Sequence, residues 1–415
     1  MAVAEQFFIK ELANGLTLLG QKMPSVSSAA MSFLTRAGSS HDADGLAGAA
    51  AVASEWLMRG AGDRDVRQLN DALDGLGCQH HEHVQSEHMQ FASAQLGRNL
   101  PEVLAIYADI LRRPRMDEAT FESCRQLTVQ DLLSLEDEPA QKCSLMLRER
   151  FYPHPLGRCP YGTAQSLGNL TAQNTRNHVQ SFFGPTGAML AVAGNFDWPQ
   201  LCELIDKLFG DWPVTAPVTL ATTPPARGHM HVTKESAQVH IAMAYPSVTA
   251  ADKYYYAARV AETILSGGMS GRLFSEVREK RGLVYHVSAR YHTLKSAAGI
   301  FVYAGTSPDR AQQTLEVTAG ELRRLAEGVT QEELARAKVQ VKSALVMQGE
   351  STSARASSLS SDWYHLGRLR GLEEISVAIE AVTDGDVIEH LRQHPPREFA
   401  ILTIGPEPLK TDAIE

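Results

Sequence analysis

The chain has 415 residues, 44% hydrophobic and 21% charged, the balance of a folded protein of about two to four domains rather than a disordered, fibrous or coiled-coil one. Its 48 acidic and 39 basic residues leave a net charge of −9, so it carries no electrostatic footprint for nucleic acid or an anionic membrane surface. Five cysteines, Cys78, Cys124, Cys143, Cys159 and Cys202, form an odd set with no Cys-x-x-Cys spacing, which excludes a disulfide-stapled or zinc-ribbon fold and points to reduced thiols in a cytoplasmic compartment.

The N-terminal segment has no basic region followed by a sustained apolar stretch, and no apolar run reaches the ~18 residues of a membrane span. Neither a signal peptide nor a membrane anchor is expected. Alternation predicts strands at Leu16 to Lys22 and Ala29 to Arg36, followed by an Ala/Leu-rich helix from about Asp44 to Met58 that stops at Gly60. After Val66 to Gly77 comes the polar run Gln79 to His88, with His80, His81, His83 and His88 among its residues. As one strand it places His81, His83 and Gln85 on one face and Glu82, Val84, Ser86 and His88 on the other. Imidazoles two apart on a strand can share zinc or nickel, but no third ligand stands at a recognisable spacing, and a solvated polar strand accounts for the run better. A long polar-faced helical stretch, Asp117 to Arg150, leads to a short helix and the apolar strand Gly187 to Ala193.

Trp212 to Gly228 sets prolines among Thr and Ala with almost no charge, the composition of a stiff, extended linker. Beyond it the same order of elements returns: a strand at Val239 to Tyr245, a helix at Tyr254 to Leu265 stopped by Gly267-Gly268, a mixed strand region, a helical stretch at Gln331 to Leu366, and the apolar strand Glu398 to Ile404. The expected fold is α+β, with two similar domains at 1–212 and 229–415 joined by residues 213–228, each a mainly antiparallel sheet with helices packed on it. Two like domains of this kind commonly enclose a ligand-binding cleft. The SGGMSG segment follows a helix rather than a strand and lacks G-x-G-x-x-G, so it is not a nucleotide loop.

The glycine-led Ala/Leu helix, the Leu-Gly turn, the polar strand ending in Ser-Glu-His, the helix ADILRRP and the segment DEATFESCRQLTVQDLLSLEDEP together resemble the pitrilysin-like (M16) zinc metallopeptidases. That family also includes the mitochondrial processing peptidase subunits and the core proteins of the respiratory bc1 complex. The resemblance covers essentially the whole chain and implies the two-domain M16/LuxS-like metallohydrolase fold. In active members His-x-x-Glu-His on a helix supplies two zinc-ligating imidazoles and a Glu that activates water, and a Glu on a later helix completes the site. Anchored on Arg59-Gly60, the five motif positions here are Ala51, Val52, Ala53, Ser54 and Glu55, and the later carboxylate falls on Asp131. Cys124 stands where the family has a supporting acid. Ala51 cannot ligate a metal and Ser54 is no general base; Glu55 with Asp131 gives two oxygen ligands where catalytic zinc takes three protein ligands. No histidine lies between Asp44 and Gln79 to rescue the motif in another register. This chain is therefore expected to bind no zinc.

In the second half, GRLFSEVREKRGLVY resembles the family's second-domain signature. Arg278 falls in the last turn of a helix closed by Gly282, and Tyr285 on the strand beginning at Leu283. The resemblance implies that this Arg and Tyr reach across a central chamber towards zinc in the other domain type and donate to the oxyanion of the tetrahedral intermediate. It further implies a division of labour. The expected function is the non-zinc subunit of a heterodimeric peptidase, inactive alone, with zinc in a homologous partner that carries His-x-x-Glu-His. Peptide would add as a strand near Gln79 to Phe91. The alternative is a catalytically inert structural or peptide-binding homologue comparable to the bc1 core proteins. An autonomous peptidase using the His80 to His88 cluster is the least supported reading.

Overall fold

The computed structural model describes residues 5–216, 218–412 and 414. Two of its strands, Met189–Gly194 and Ala400–Gly405, are buried at every position. A strand without a polar side needs a neighbour on each edge and cover on both faces. Each lies inside a sheet. The first sheet runs Gln6–Glu11, Thr17–Lys22, Met189–Gly194, Ser28–Thr35, Met89–Leu96, Gln79–Val84. The second runs Gly228–Thr233, Ala400–Gly405, Val239–Ser247, Ala298–Thr306, Val284–Thr293. In both, the doubly buried strand pairs parallel with one neighbour and antiparallel with the other. With Gln6–Glu11 set aside, both sheets have the same spatial order: first, fifth, second, fourth, third in chain sequence. The duplication anticipated from the order of elements is a duplication of topology, α+β in each copy.

The chain separates into two compact units: residues 1–134, 158–222 and 348–370, and residues 135–157, 223–347 and 371–415. Each unit therefore takes one helix from the other side of the proline-rich segment. The two long helical stretches expected from periodicity are each broken in two, into Glu118–Ser134 and Pro139–Phe151, and into Gln331–Gly349 and Thr352–Leu366. Pro139 opens the second helix of the first pair, where its missing N–H costs no intrahelical bond. Ser351 caps the second helix of the other pair, its hydroxyl accepting from the Ala354 N–H.

In the first unit, alternation along the strands sorts side chains to two cores. Leu18, Met31, Phe33, Leu190 and Val192 face a layer that includes the helices Ala49–Leu57, Leu100–Arg112 and Trp198–Phe209. Leu19, Ala30, Ala191 and Ala193 face Ala356 and Leu359 of Thr352–Leu366. The alanines on that face leave room for the helix backbone to come close. The polar contacts there are matched: Ser32 and Ser360 hydroxyls lie 3.1 Å apart, and the buried Arg355 donates to Gln21 at 2.7 Å and to Glu5 at 3.1 Å.

In the second unit, Ile241, Met243, Ile300, Val302 and Ile401 face a layer that includes Tyr255–Ser266, Ala311–Arg324 and Asp384–Gln393. Pro139–Phe151 covers the other face. Its Phe151 ring packs edge-on to Phe301 at 5.0 Å and lies so close over Gly299 that a Cβ there would stand 2.5 Å from the ring.

Leu359 is 1% exposed, so Leu359→Ala should lower unfolding free energy by about 2–4 kcal/mol. Leu133→Ala, at a position 61% exposed, should change it by less than about 0.5 kcal/mol. Urea denaturation of the two variants checks this; equal effects would mean that the Thr352–Leu366 helix is not a structural cover.

Candidate functional site

Ala51, Ser54 and Glu55 lie on the Ala49–Leu57 helix. That helix begins several residues later than the composition suggested, because its start is fixed by a side chain outside it. The Asp42 carboxylate accepts from the Gly48 and Ala50 N–H groups at 2.8 and 2.9 Å, with Gly48 in the left-handed region at φ 94°. Burial pushes the Asp42 carboxyl up to about 7 against those hydrogen bonds and the nearby Arg158. Val52, Ala53, Trp56 and Leu57 are buried in the core, while Ala51 and Glu55, one turn apart, share a half-buried face.

This helix packs on Glu118–Ser134 and on the edge strand Gln79–Val84, which brings Asp131, Cys124 and Glu82 into its neighbourhood. Burial raises the Glu55 carboxyl above its usual range; Arg59 opposes the shift, and the charges of Asp131 and Glu82 add to it. The Arg59 guanidinium lies 3.8 Å from Glu55 and is also beside the Cys124 thiol, whose pKa burial raises. Asp131 is exposed, its carboxyl raised by partial burial. Glu82 accepts from the Tyr107 hydroxyl at 3.2 Å and lies 3.2 Å from His80 Nδ1. Ala51, Ser54, Glu55 and Asp131, the positions the resemblance implies, all lie in the first unit. Arg59, Glu82 and Tyr107 are part of the same place and were missed. Glu82 could have been found from its inward position between His81 and His83; Arg59 had served only as the motif's anchor.

The resemblance implies zinc here, and these residues do not fit it. A methyl, a hydroxyl and one half-buried carboxylate stand at the three motif positions, and a guanidinium beside Glu55 occupies the role of local cation. Among the described residues no group of three or more His, Cys, Asp or Glu is placed to hold a metal ion.

The histidine run does not behave as one strand. Pairing ends at Val84, and the Gln85 N–H donates to the His88 carbonyl at 2.8 Å, which turns the chain into Met89–Leu96. His81 and His83 share an exposed face as expected, but His88 lies beyond the turn, buried with its ring edge-on to Tyr364 at 4.2 Å. The expected common face of Glu82, Val84, Ser86 and His88 therefore ends at Val84.

Arg278 and Tyr285 both sit on irregular backbone in the second unit. Phe274–Glu279 is wound as a π-helix, a rare form that occurs mostly as short insertions and frequently at functional places. It is anchored by Arg272, which grips Glu333 at 2.7 and 2.9 Å and the Gly328 carbonyl at 2.7 Å, and by Val277 in the core. Gly282, at φ 59°, ends the turn as expected. Pairing with Ala298–Thr306 then skips a residue between Val284 and His286, so Tyr285 is the extra residue of a β-bulge and is 63% exposed. The neighbouring charges are committed elsewhere: Glu276 binds Lys280 at 2.7 Å and Arg281 at 2.8 Å, and these hydrogen bonds hold its carboxyl down to about 2. Arg278 takes no part in those bonds. Its exposed guanidinium lies 5.0 Å from the Phe274 ring centre.

Fold and site together define a twice-repeated α+β scaffold of the kind found in peptidases, with no metal-ligand group around Glu55 among the described residues. The profile of the insulinase family, peptidase family M16, matches residues 18–164, and that of the peptidase M16 inactive domain matches residues 169–341. The chain belongs to the M16 peptidase family. It is 26% identical to an uncharacterized zinc protease of Rickettsia bellii over 98% of this chain and 99% of that one. It is 28% identical to an uncharacterized zinc protease of Mycobacterium bovis over 95% and 92%. The crystal structure of a peptidase M16 inactive domain from Pseudomonas fluorescens superposes with a TM-score of 0.88 at 20% identity, covering 98% and 99% of the two chains. Among the described residues no helix is long and apolar enough to cross a membrane.

The purified chain, dialysed against micromolar zinc and then buffer, should retain far less than one zinc per chain by elemental analysis. One tightly held zinc would mean that Glu55 and Asp131 recruit ligands from elsewhere.

Proposed function

We propose that this chain is the non-zinc subunit of a heterodimeric M16 metallopeptidase that degrades peptides in the cytoplasm. The observation that carries the reading is a mismatch between its two halves: the metal positions hold Ala51, Ser54, Glu55 and Asp131, while Arg278 and Tyr285 are retained, exposed, and set on a π-turn and a bulge. An inert scaffold has no use for that pair. The partner is a homologous chain with His-x-x-Glu-His, whose imidazoles would hold zinc and whose metal would supply Lewis-acid polarisation of the scissile carbonyl.

Peptide hydrolysis builds negative charge on the carbonyl oxygen. The Tyr285 hydroxyl donates a hydrogen bond to that oxygen, and the Arg278 guanidinium adds positive charge beside it. Both are stronger towards the tetrahedral intermediate than towards the substrate, so they act on kcat. The chain also supplies half of the chamber that encloses the peptide. Gln79–Val84 is an open sheet edge and offers a strand for peptide addition, with the exposed His81 and His83 beside it.

Tyr285→Phe should lower kcat of the reconstituted heterodimer by tens- to hundreds-fold with little change in KM, in line with loss of one oxyanion donor. Unchanged turnover, in a complex that still assembles, would favour the inert scaffold comparable to the bc1 core proteins.

A further inference from the structure

The second unit contains a cleft that the peptidase reading does not use. It has a volume of about 770 Å³ and opens at the start of two adjacent parallel strands, Gly228–Thr233 and Ala400–Gly405. Arg227 precedes the first strand, Arg397 and Glu398 precede the second, and Arg323 comes from the last turn of Ala311–Arg324. In a chain of net charge −9, three guanidiniums and a single carboxylate line this cleft. Its size is that of a small-molecule site, for which ~300–1,000 Å³ is usual.

The arginines are held in place from behind. The Arg227 guanidinium lies 5.2 Å from the Phe151 ring centre, its backbone carbonyl accepts from Arg150 at 3.1 Å, and its Nε is buried without a hydrogen-bond acceptor. Arg323 lies 6.0 Å from the centre of the buried Phe399 ring and donates to the Ile414 carbonyl. Arg323 also offsets the dipole at its helix C-terminus. Arg397 has no such duty: it is exposed, on a tight turn whose N–H donates to the Pro395 carbonyl at 2.7 Å. Pre-set guanidinium forks suit bidentate recognition of phosphate or carboxylate.

Glu398 pairs with one of these arginines. It adopts φ 52°, a left-handed conformation that side chains other than glycine rarely take. There its carboxylate reaches Arg227 at 3.0 Å while remaining 79% exposed. An exposed single pair of this kind contributes little stability, so an incoming anion can displace it at small cost.

We propose that this cleft binds a small, multiply charged anion, an organic polyphosphate or polycarboxylate. Arg227, Arg323 and Arg397 are its ligands, and Glu398 is the side chain it displaces. The proposal stands independently of the peptidase reading, since every residue it uses belongs to the second unit.

The test is calorimetric titration of the full chain with inorganic tripolyphosphate and with citrate at fixed ionic strength. One-to-one saturable binding of at least one probe is expected, weakened about tenfold by Arg397→Ala and strengthened severalfold by Glu398→Gln. Binding of tripolyphosphate alone assigns a polyphosphate ligand, and binding of citrate alone a polycarboxylate. Absence of saturable binding by both probes overturns the proposal, as does binding that neither substitution changes.

Discussion

Met189–Gly194 and Ala400–Gly405 bury side chains on both faces, so each sheet has to be covered twice. Burial of apolar surface is the dominant favourable contribution to folding, and half-covered sheets of this composition would leave Leu19, Ala30, Ala191 and Ala193 in water in one unit and the Gly299–Phe301 face in the other. One cover for each sheet comes from helices close to its strands in the chain. The other comes from Thr352–Leu366 or Pro139–Phe151. That requirement explains several otherwise separate observations: the alanines facing Thr352–Leu366, the Gly299 that admits the Phe151 ring, and the buried Arg355, whose donors meet Gln21 and Glu5 rather than hydrocarbon.

Much of this was legible in the residues. The doubly buried strands announced themselves as apolar runs, broken only by Thr403 in the second, the glycines at 60 and 282 marked where their elements stop, and the repeated order of elements foretold two copies of one plan. The breaks after Ser134 and Gly349 were not legible as changes of partner. Helical periodicity continues across them, and Pro139 and Ser351 signal a new helix start without saying which sheet the new helix will cover. The histidine run misled for a related reason: alternation describes a strand but not where a hairpin turns, and the turn at Gln85 to His88 is fixed by its hydrogen bond. The π-winding at Phe274–Glu279 and the bulge at Tyr285 have no periodic signature at all.

Around Glu55 each carboxylate is engaged in its own way. Glu55, Glu82 and Asp131 lie in one neighbourhood, where the charges of the latter two help raise the Glu55 carboxyl. Arg59 offsets Glu55, Glu82 is held by Tyr107 and His80, and Asp131 stays exposed. These contacts make the region a polar corner of the first unit. The residues around Tyr285 show the opposite case, since their irregular backbone holds an aromatic side chain out in solvent, where apolar burial alone would not place it.

The reciprocal origin of the two covering helices also sets an order on synthesis. A ribosome releases the strands of the first sheet, the last of them at Gly194, long before it reaches Thr352. Through that interval the face formed by Leu19, Ala30, Ala191 and Ala193 has no Thr352–Leu366 to meet, so the first unit cannot finish folding until synthesis has passed Leu366. For the same reason, severing the chain within the proline-rich segment would not release two self-sufficient halves. Each fragment would carry the roof of the other fragment's sheet.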